Sequence, residues 1–252
     1  MLQKLLIICP LLFLAGLIDS VAGGGGLISM PAYMMTGMPM RAAYGCNKLQ
    51  SAFGTGFALR QFVKNKLVDF KVTLFSTITA FAGSMIATKI VFVLSDVALK
   101  KMLLVIFPVV AVLILVKTGI QNSTKEKQIT HSKNVYILAL VIGLLIGLYD
   151  GLFGPGGAMI AIFLYIFLMK YDMKTASGNA KAVIFASNLV ALVFYMKTGS
   201  IQYEIAIPAT IFNMAGNYVG SNFAIAKGQK LIRPVMGMIA VALLFKTIIG
   251  FF

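Results

Sequence analysis

Two stretches of this chain are copies of one another, and both are built around a run of glycines. Gly16-Leu-Ile-Asp19-Ser-Val-Ala-Gly23-Gly24-Gly25-Gly26 matches Gly147-Leu-Tyr-Asp150-Gly-Leu-Phe-Gly154-Pro155-Gly156-Gly157 at an offset of 131 residues. Beyond a two-residue insertion the offset becomes 133 and holds, setting Gly45 on Gly178, Lys48 on Lys181, Phe62 on Tyr195, Gly83 on Gly216 and Lys100 on Arg233. A register that persists this long marks a duplicated structural unit. The chain therefore divides into a first repeat (1–117), a linker rich in Lys, Ser and Thr (118–133) and a second repeat (134–252).

Each repeat is made of apolar segments, in the first copy Leu5 to Ala22, Leu27 to Met38, Ala42 to Val63, Val72 to Leu94 and Met102 to Val116. Only 12% of the 252 residues are charged, against about 25% in an ordinary soluble domain. Mean hydropathy is +0.94. The longer segments have the roughly 20 residues a bilayer-spanning helix requires, so a water-soluble fold is excluded. The expected fold is all-α: a polytopic membrane protein of two repeats with about five hydrophobic segments each, some short or broken. The apolar N-terminus resembles a secretory signal, but its copy recurs inside the chain, which makes it a retained helix.

Five helices, or three helices plus a half-membrane hairpin, both give an odd number of crossings, so the second repeat is expected to be inverted relative to the first. Positive loops favour the cytoplasmic side. With the N-terminus outside, an inverted pair puts 13 of the 22 Lys and Arg residues inside and 7 outside, leaving Lys48 and Lys181 within the apolar segments. A parallel pair of four-crossing units moves Lys4, Lys197 and Lys246 in and Lys170, Lys174, Lys227, Lys230 and Arg233 out, for 11 against 9. The inverted arrangement is preferred, with both termini outside and the linker cytoplasmic. The net charge of +15 follows from these loops and does not indicate a nucleic-acid partner.

Inverted repeats with interrupted helices are the plan of secondary transporters, which bind substrate near the midplane where the repeats meet. Gly23 to Gly26 and the Gly154, Gly156, Gly157 run each precede a short segment, directing free N–H groups and a positive dipole end into the membrane, an arrangement suited to an anion. Close packing through small residues is the competing explanation. Asp19 and Asp150 stand at equivalent positions and either couple transport to protons or cap the following turn. Lys48 and Lys181 either balance an oxyanion or extend to the interface. Asn47, Ser51, Asn179 and Asn188 complete the candidate binding set. Asn213, Asn217 and Asn222 are accounted for by hydrogen bonds between helices.

Cys9 and Cys46 lack metal or disulfide spacing, and His131 lies alone in the linker. No zinc-protease, P-loop or dinucleotide motif occurs in a usable context, so neither a metal, a cofactor nor an enzymatic activity is expected. A protease using Asp19 and Asp150 as a proton-sharing dyad and an anion channel are the alternatives to a carrier.

Over nearly its whole length the sequence resembles the sulfite exporter TauE/SafE family of bacterial membrane proteins. The resemblance rests on Gly16 to Pro31, Gly45-Cys-Asn-Lys-Leu-Gln50, Gly151 to Gly157 and Gly178-Asn-Ala-Lys181. Where threonine is common in the family, this chain has Cys46 and Asn179. The resemblance implies a bacterial inner-membrane location and a small organosulfur anion, sulfite or one like sulfoacetate, as substrate.

Overall fold

A computed structural model describes residues 2–105, 108, 133–228, 230–232, 234–235 and 238. The linker from 118 to 132, His131, Arg233 and most of the last hydrophobic segment of each repeat lie outside the described residues.

Every described element is a helix. The first repeat contains α1 (Leu2–Ala22), α2 (Gly26–Met34), α3 (Met40–Lys64) and α4 (Phe70–Val93), followed by α5, helical over 96–105. The second contains α6 (Lys133–Leu152), α7 (Gly157–Met169), α8 (Met173–Lys197) and α9 (Tyr203–Lys227). Aspartates start two of the long helices: the Asp69 carboxylate accepts from the Val72 amide at 3.2 Å, and that of Asp172 from Lys174 and Thr175 at 2.8 and 3.1 Å. Each thereby satisfies amides that the first helical turn leaves without partners.

Four helices, α1, α4, α6 and α8, are long and apolar enough to cross a membrane. The protein is accordingly polytopic, and its polarity is arranged for lipid. Leu74, Ile78, Phe81, Ile86 and Ile90 of α4 and Ile207, Ile211 and Phe212 of α9 are exposed, whereas Asn47, Lys48, Gln50, Ser84, Ser187, Asn188, Asn213 and Asn217 are buried. Side chains that would be costly to leave in hydrocarbon thus hydrogen-bond to one another inside the bundle.

Short side chains let two helix pairs approach closely. A methyl group on Gly16 would overlap the Asn213 carbonyl oxygen, joining α1 to α9, and one on Gly147 would overlap that of Ala80, joining α6 to α4. Along the first pair, Leu12 meets Asn213, Phe13 meets Gly216 and Leu17 meets Gly220, so α1 and α9 run in the same direction. Along the second, Ser76 meets Ala139 and Gly143, Ala80 meets Gly147 and Ser84 meets Gly151, so α4 and α6 do likewise. The contacts α1–α2, α2–α3, α3–α9 and α1–α9 are matched by α6–α7, α7–α8, α8–α4 and α6–α4.

The first short helix turns back. Lys4 Nζ, at the start of α1, donates to the Thr36 carbonyl just past α2 at 2.8 Å. The chain therefore descends α1, breaks at the glycines and returns along the nine residues of α2, or about 14 Å at helical rise. The Lys4–Thr36 contact thus brings the two ends of this first helical hairpin together.

Candidate transport site

The two glycine breaks meet each other. Gly23 and Gly154, equivalent in the repeats, turn the chain with φ of +78° and +75°, values at which a side chain is strained and glycine is not. A methyl on Gly23 would lie 2.5 Å from the Met159 amide nitrogen, and one on Gly26 would lie 2.7 Å from Pro155 Cα. The start of α2 is thus packed against the start of α7. The amides of Gly24, Gly26 and Gly156 have no partner among the hydrogen bonds of the described residues.

Behind the breaks lie two ion pairs, each formed between the repeats. Lys48 Nζ of α3 is 2.7 Å from Asp150 Oδ2 of α6, and Lys181 Nζ of α8 is 2.7 Å from Asp19 Oδ2 of α1. Both lysines also donate to the main-chain carbonyl of the same aspartate, at 2.7 Å for Asp150 and 2.5 Å for Asp19. Both are 0% exposed, so neither reaches an interface. Lone charges there would be prohibitive; paired and hydrogen-bonded they are tolerated.

The pairs differ in their surroundings. Lys48 has a third acceptor, Asn188 Oδ1 at 3.0 Å, and Asp150 Oδ2 accepts in addition from the Ser187 hydroxyl at 2.6 Å. Asp19 instead accepts from the Gly25 amide at 3.3 Å through Oδ1. The Asp19 side chain is 18% exposed and that of Asp150 4%.

A cavity of about 20 Å³ lies between these groups, lined in part by Asp19, Gly23, Gly26, Asn47, Asp150 and Gly154, with Ser51, Gly156 and Asn188 also on its wall. This volume is enough for about one water molecule. Asn47 is fixed at the wall because its Oδ1 accepts from Ser29 at 2.6 Å and Gln50 at 2.9 Å.

Most of the candidate residues are therefore gathered in one place. Lys48 and Lys181 stand behind the two carboxylates, and Gly24, Gly25 and Gly157 belong to the turns; a methyl on Gly157 would lie 3.1 Å from Asp150 Oδ1. Asn179 is not among them. Its Oδ1 accepts from the Asp69 amide at 2.9 Å and the Thr73 hydroxyl at 3.0 Å, tying α8 to the start of α4. It lies two residues before Lys181 on α8, and a helical step of that size points to a different face. Ser29, Thr55 and Ile184 were not singled out from sequence, and isolated small or apolar residues in apolar helices give no signal that would single them out.

A bundle of membrane helices with two interrupted hairpins meeting at buried, paired charges defines a membrane transport protein. The model of the sulfite exporter TauE/SafE family matches residues 8–247, and the chain belongs to that family. It is 29% identical to "Probable membrane transporter protein ORF9" of a Sinorhizobium species, over 92% of this chain and 87% of that one. Identity is 30% with a "Probable membrane transporter protein" of Haemophilus influenzae, over 89% and 86% of the two chains. It is 29% with "Probable membrane transporter protein YfcA" of Escherichia coli, over 90% and 83%. No solved structure matches the chain.

Proposed function

We propose that this protein is a secondary carrier for a small oxyanion, sulfite or an organosulfonate such as sulfoacetate, in a bacterial inner membrane. The observation that carries the reading is the meeting of the two glycine breaks, with unpaired amides, at two ammonium groups buried behind carboxylates. Amides and ammonium groups together form a donor set for a sulfur oxyanion. The name of the family supports the choice of sulfur.

The two repeats have opposed orientations in this reading. In its favour, α1 runs with α9 while α6 runs with α4, and the breaks of both halves face one cavity. Exposure of that cavity to alternate sides requires the halves to rock against each other. The linker then lies in the cytoplasm and both termini outside. A cavity closed down to about 20 Å³ favours a carrier over a permanently open channel. Each aspartate is held by its own lysine, which disfavours a shared-proton protease dyad.

Thermal-shift screening of the purified protein against sulfite, sulfoacetate, sulfate and thiosulfate, followed by uptake into proteoliposomes, tests the reading. Saturable uptake that is accelerated by the same anion on the opposite side is expected of a carrier. A current that follows voltage without such exchange indicates a channel, and no movement of any of the four refutes the anion reading.

A further inference from the structure

The four buried charges sum to zero. An anion entering the cavity adds charge that nothing in the site offsets, and at low dielectric this imbalance is costly. A proton arriving on one carboxylate would offset one unit of that charge and free an ammonium to meet the anion. We propose that Asp19 accepts that proton and that Lys181 receives the anion, while Asp150 and Lys48 stay paired. This inference rests on the carrier reading above.

The choice between the two pairs follows from their unequal support. Asp150 Oδ2 accepts from both Lys48 and Ser187, at 2.7 and 2.6 Å, and Lys48 divides its protons among three acceptors. Hydrogen bonds to the ionised form resist protonation, and besides Lys181 Asp19 has only the longer bond from the Gly25 amide, at 3.3 Å. In the first repeat the position equivalent to Ser187 is Gly54, which has no hydroxyl, and the space beside it is taken by Asn213 and Asn217. The position equivalent to Asn188 is Thr55, and among the described residues Lys181 has no third acceptor. Asp19 is also the more exposed carboxylate, so a proton from water reaches it more readily.

The other groups around Asp19 leave this assignment intact. From α8 it faces Lys181, and across the cavity Asp150 of α6, to which Lys48 of α3 is bonded. Helix α9 brings Asn213 and Asn217 against α1. On α2 the Tyr33 hydroxyl is bonded to Gln50 Oε1, and α7 approaches with the backbone of Ala158 and Met159. Lys181 is thus the only cation hydrogen-bonded to Asp19 among the described residues.

Calorimetric titration of the full-length protein with sulfoacetate, in buffers of different ionisation enthalpy, counts protons taken up on binding. The charge of sulfoacetate is constant across the neutral range, whereas sulfite would itself titrate; sulfate replaces sulfoacetate if the screen excludes the latter. The wild type should take up one proton per anion, with affinity rising about tenfold for each pH unit lowered while Asp19 is ionised. Asp19→Asn should abolish the proton uptake and flatten the pH dependence, and Asp19→Glu should restore both. Ser187→Ala, which keeps all four charges in place, should still take up the proton. Anion binding by the wild type without proton uptake, or uptake that survives Asp19→Asn, would overturn the inference while leaving an anion carrier in place. If none of the anions binds, the carrier reading falls and this inference with it.

Discussion

Removing Lys48 should cost far more than removing Lys48 and the charge of Asp150 together. In the folded chain Lys48 Nζ donates to Asp150 O and Oδ2, both at 2.7 Å, and to Asn188 Oδ1 at 3.0 Å, with side-chain exposures of 0% for the lysine and 4% for the aspartate. Lys48→Ala leaves a carboxylate whose remaining donor is the Ser187 hydroxyl. Breaking a buried pair by removing one partner costs about 3–5 kcal/mol, a factor of roughly one hundred and fifty to several thousand in the folding equilibrium. Lys48→Met combined with Asp150→Asn removes both charges and keeps both volumes, and such replacements are often neutral. The prediction is that the double variant regains most of the lost stability but does not transport. Unfolding in mixed micelles with increasing dodecyl sulfate, followed by helical circular dichroism, measures both. If Lys48→Ala is no less stable than the double variant, the ammonium and carboxylate are not a desolvated pair and the account of the site is wrong.

Other positions give independent checks. A methyl on Gly147 would overlap the Ala80 carbonyl oxygen, whereas one on Gly199 meets nothing within 4 Å; Gly147→Val should therefore abolish the monodisperse peak in size-exclusion chromatography. Gly199→Ala should cost only the roughly 1–2 kcal/mol of a positive φ. Asn217→Ala removes the acceptor that Ser20 reaches at 2.6 Å and a donor to Asn213; it should lower stability by about 1–3 kcal/mol without changing the proton count of anion binding. Tyr171, between α7 and α8, donates to Asp69 Oδ2 at 2.6 Å, and burial, followed by the Asp69 carboxylate, pushes its phenol well above the ordinary range. A group raised in the folded state contributes stability below its unfolded value of about 10 and loses it as pH climbs beyond. Tyr171→Phe should thus be less stable at neutral pH, and the gap from wild type should narrow in strong alkali.

How much of this was legible in the sequence depends on which link is asked about. The repeat offset alone put Asp19 with Asp150, Lys48 with Lys181 and one glycine break with the other, and the apolar lengths fixed the helices around them. Neither says how one repeat docks on the other, because self-similarity relates positions and not contacts. Taken singly, the aspartates and lysines read as caps, couplers or interface anchors, whereas in the structure each lysine meets the aspartate of the opposite copy. A physical signal was available. The matched acid and base of each repeat, Asp19 with Lys48 and Asp150 with Lys181, lie within apolar segments and must be neutralised somewhere in the bundle, and two copies related by symmetry can do so by exchanging partners. Asn179 lies apart from the cavity for the opposite reason. Its closeness to Lys181 in sequence suggested a shared site, but a two-residue step along a helix separates side chains by a large angle, and its oxygen is used up at the start of α4. The unequal support of the two ion pairs was also written in the sequence, as Gly54 opposite Ser187 and Thr55 opposite Asn188. Its meaning required the structure, because only there does the missing hydroxyl at Gly54 leave Asp19 with a 3.3 Å bond from the Gly25 amide where Asp150 has the Ser187 hydroxyl at 2.6 Å. Departures from the repeat are thus as informative as the repeat itself: matched residues build the two ion pairs, and mismatched ones make their surroundings unequal.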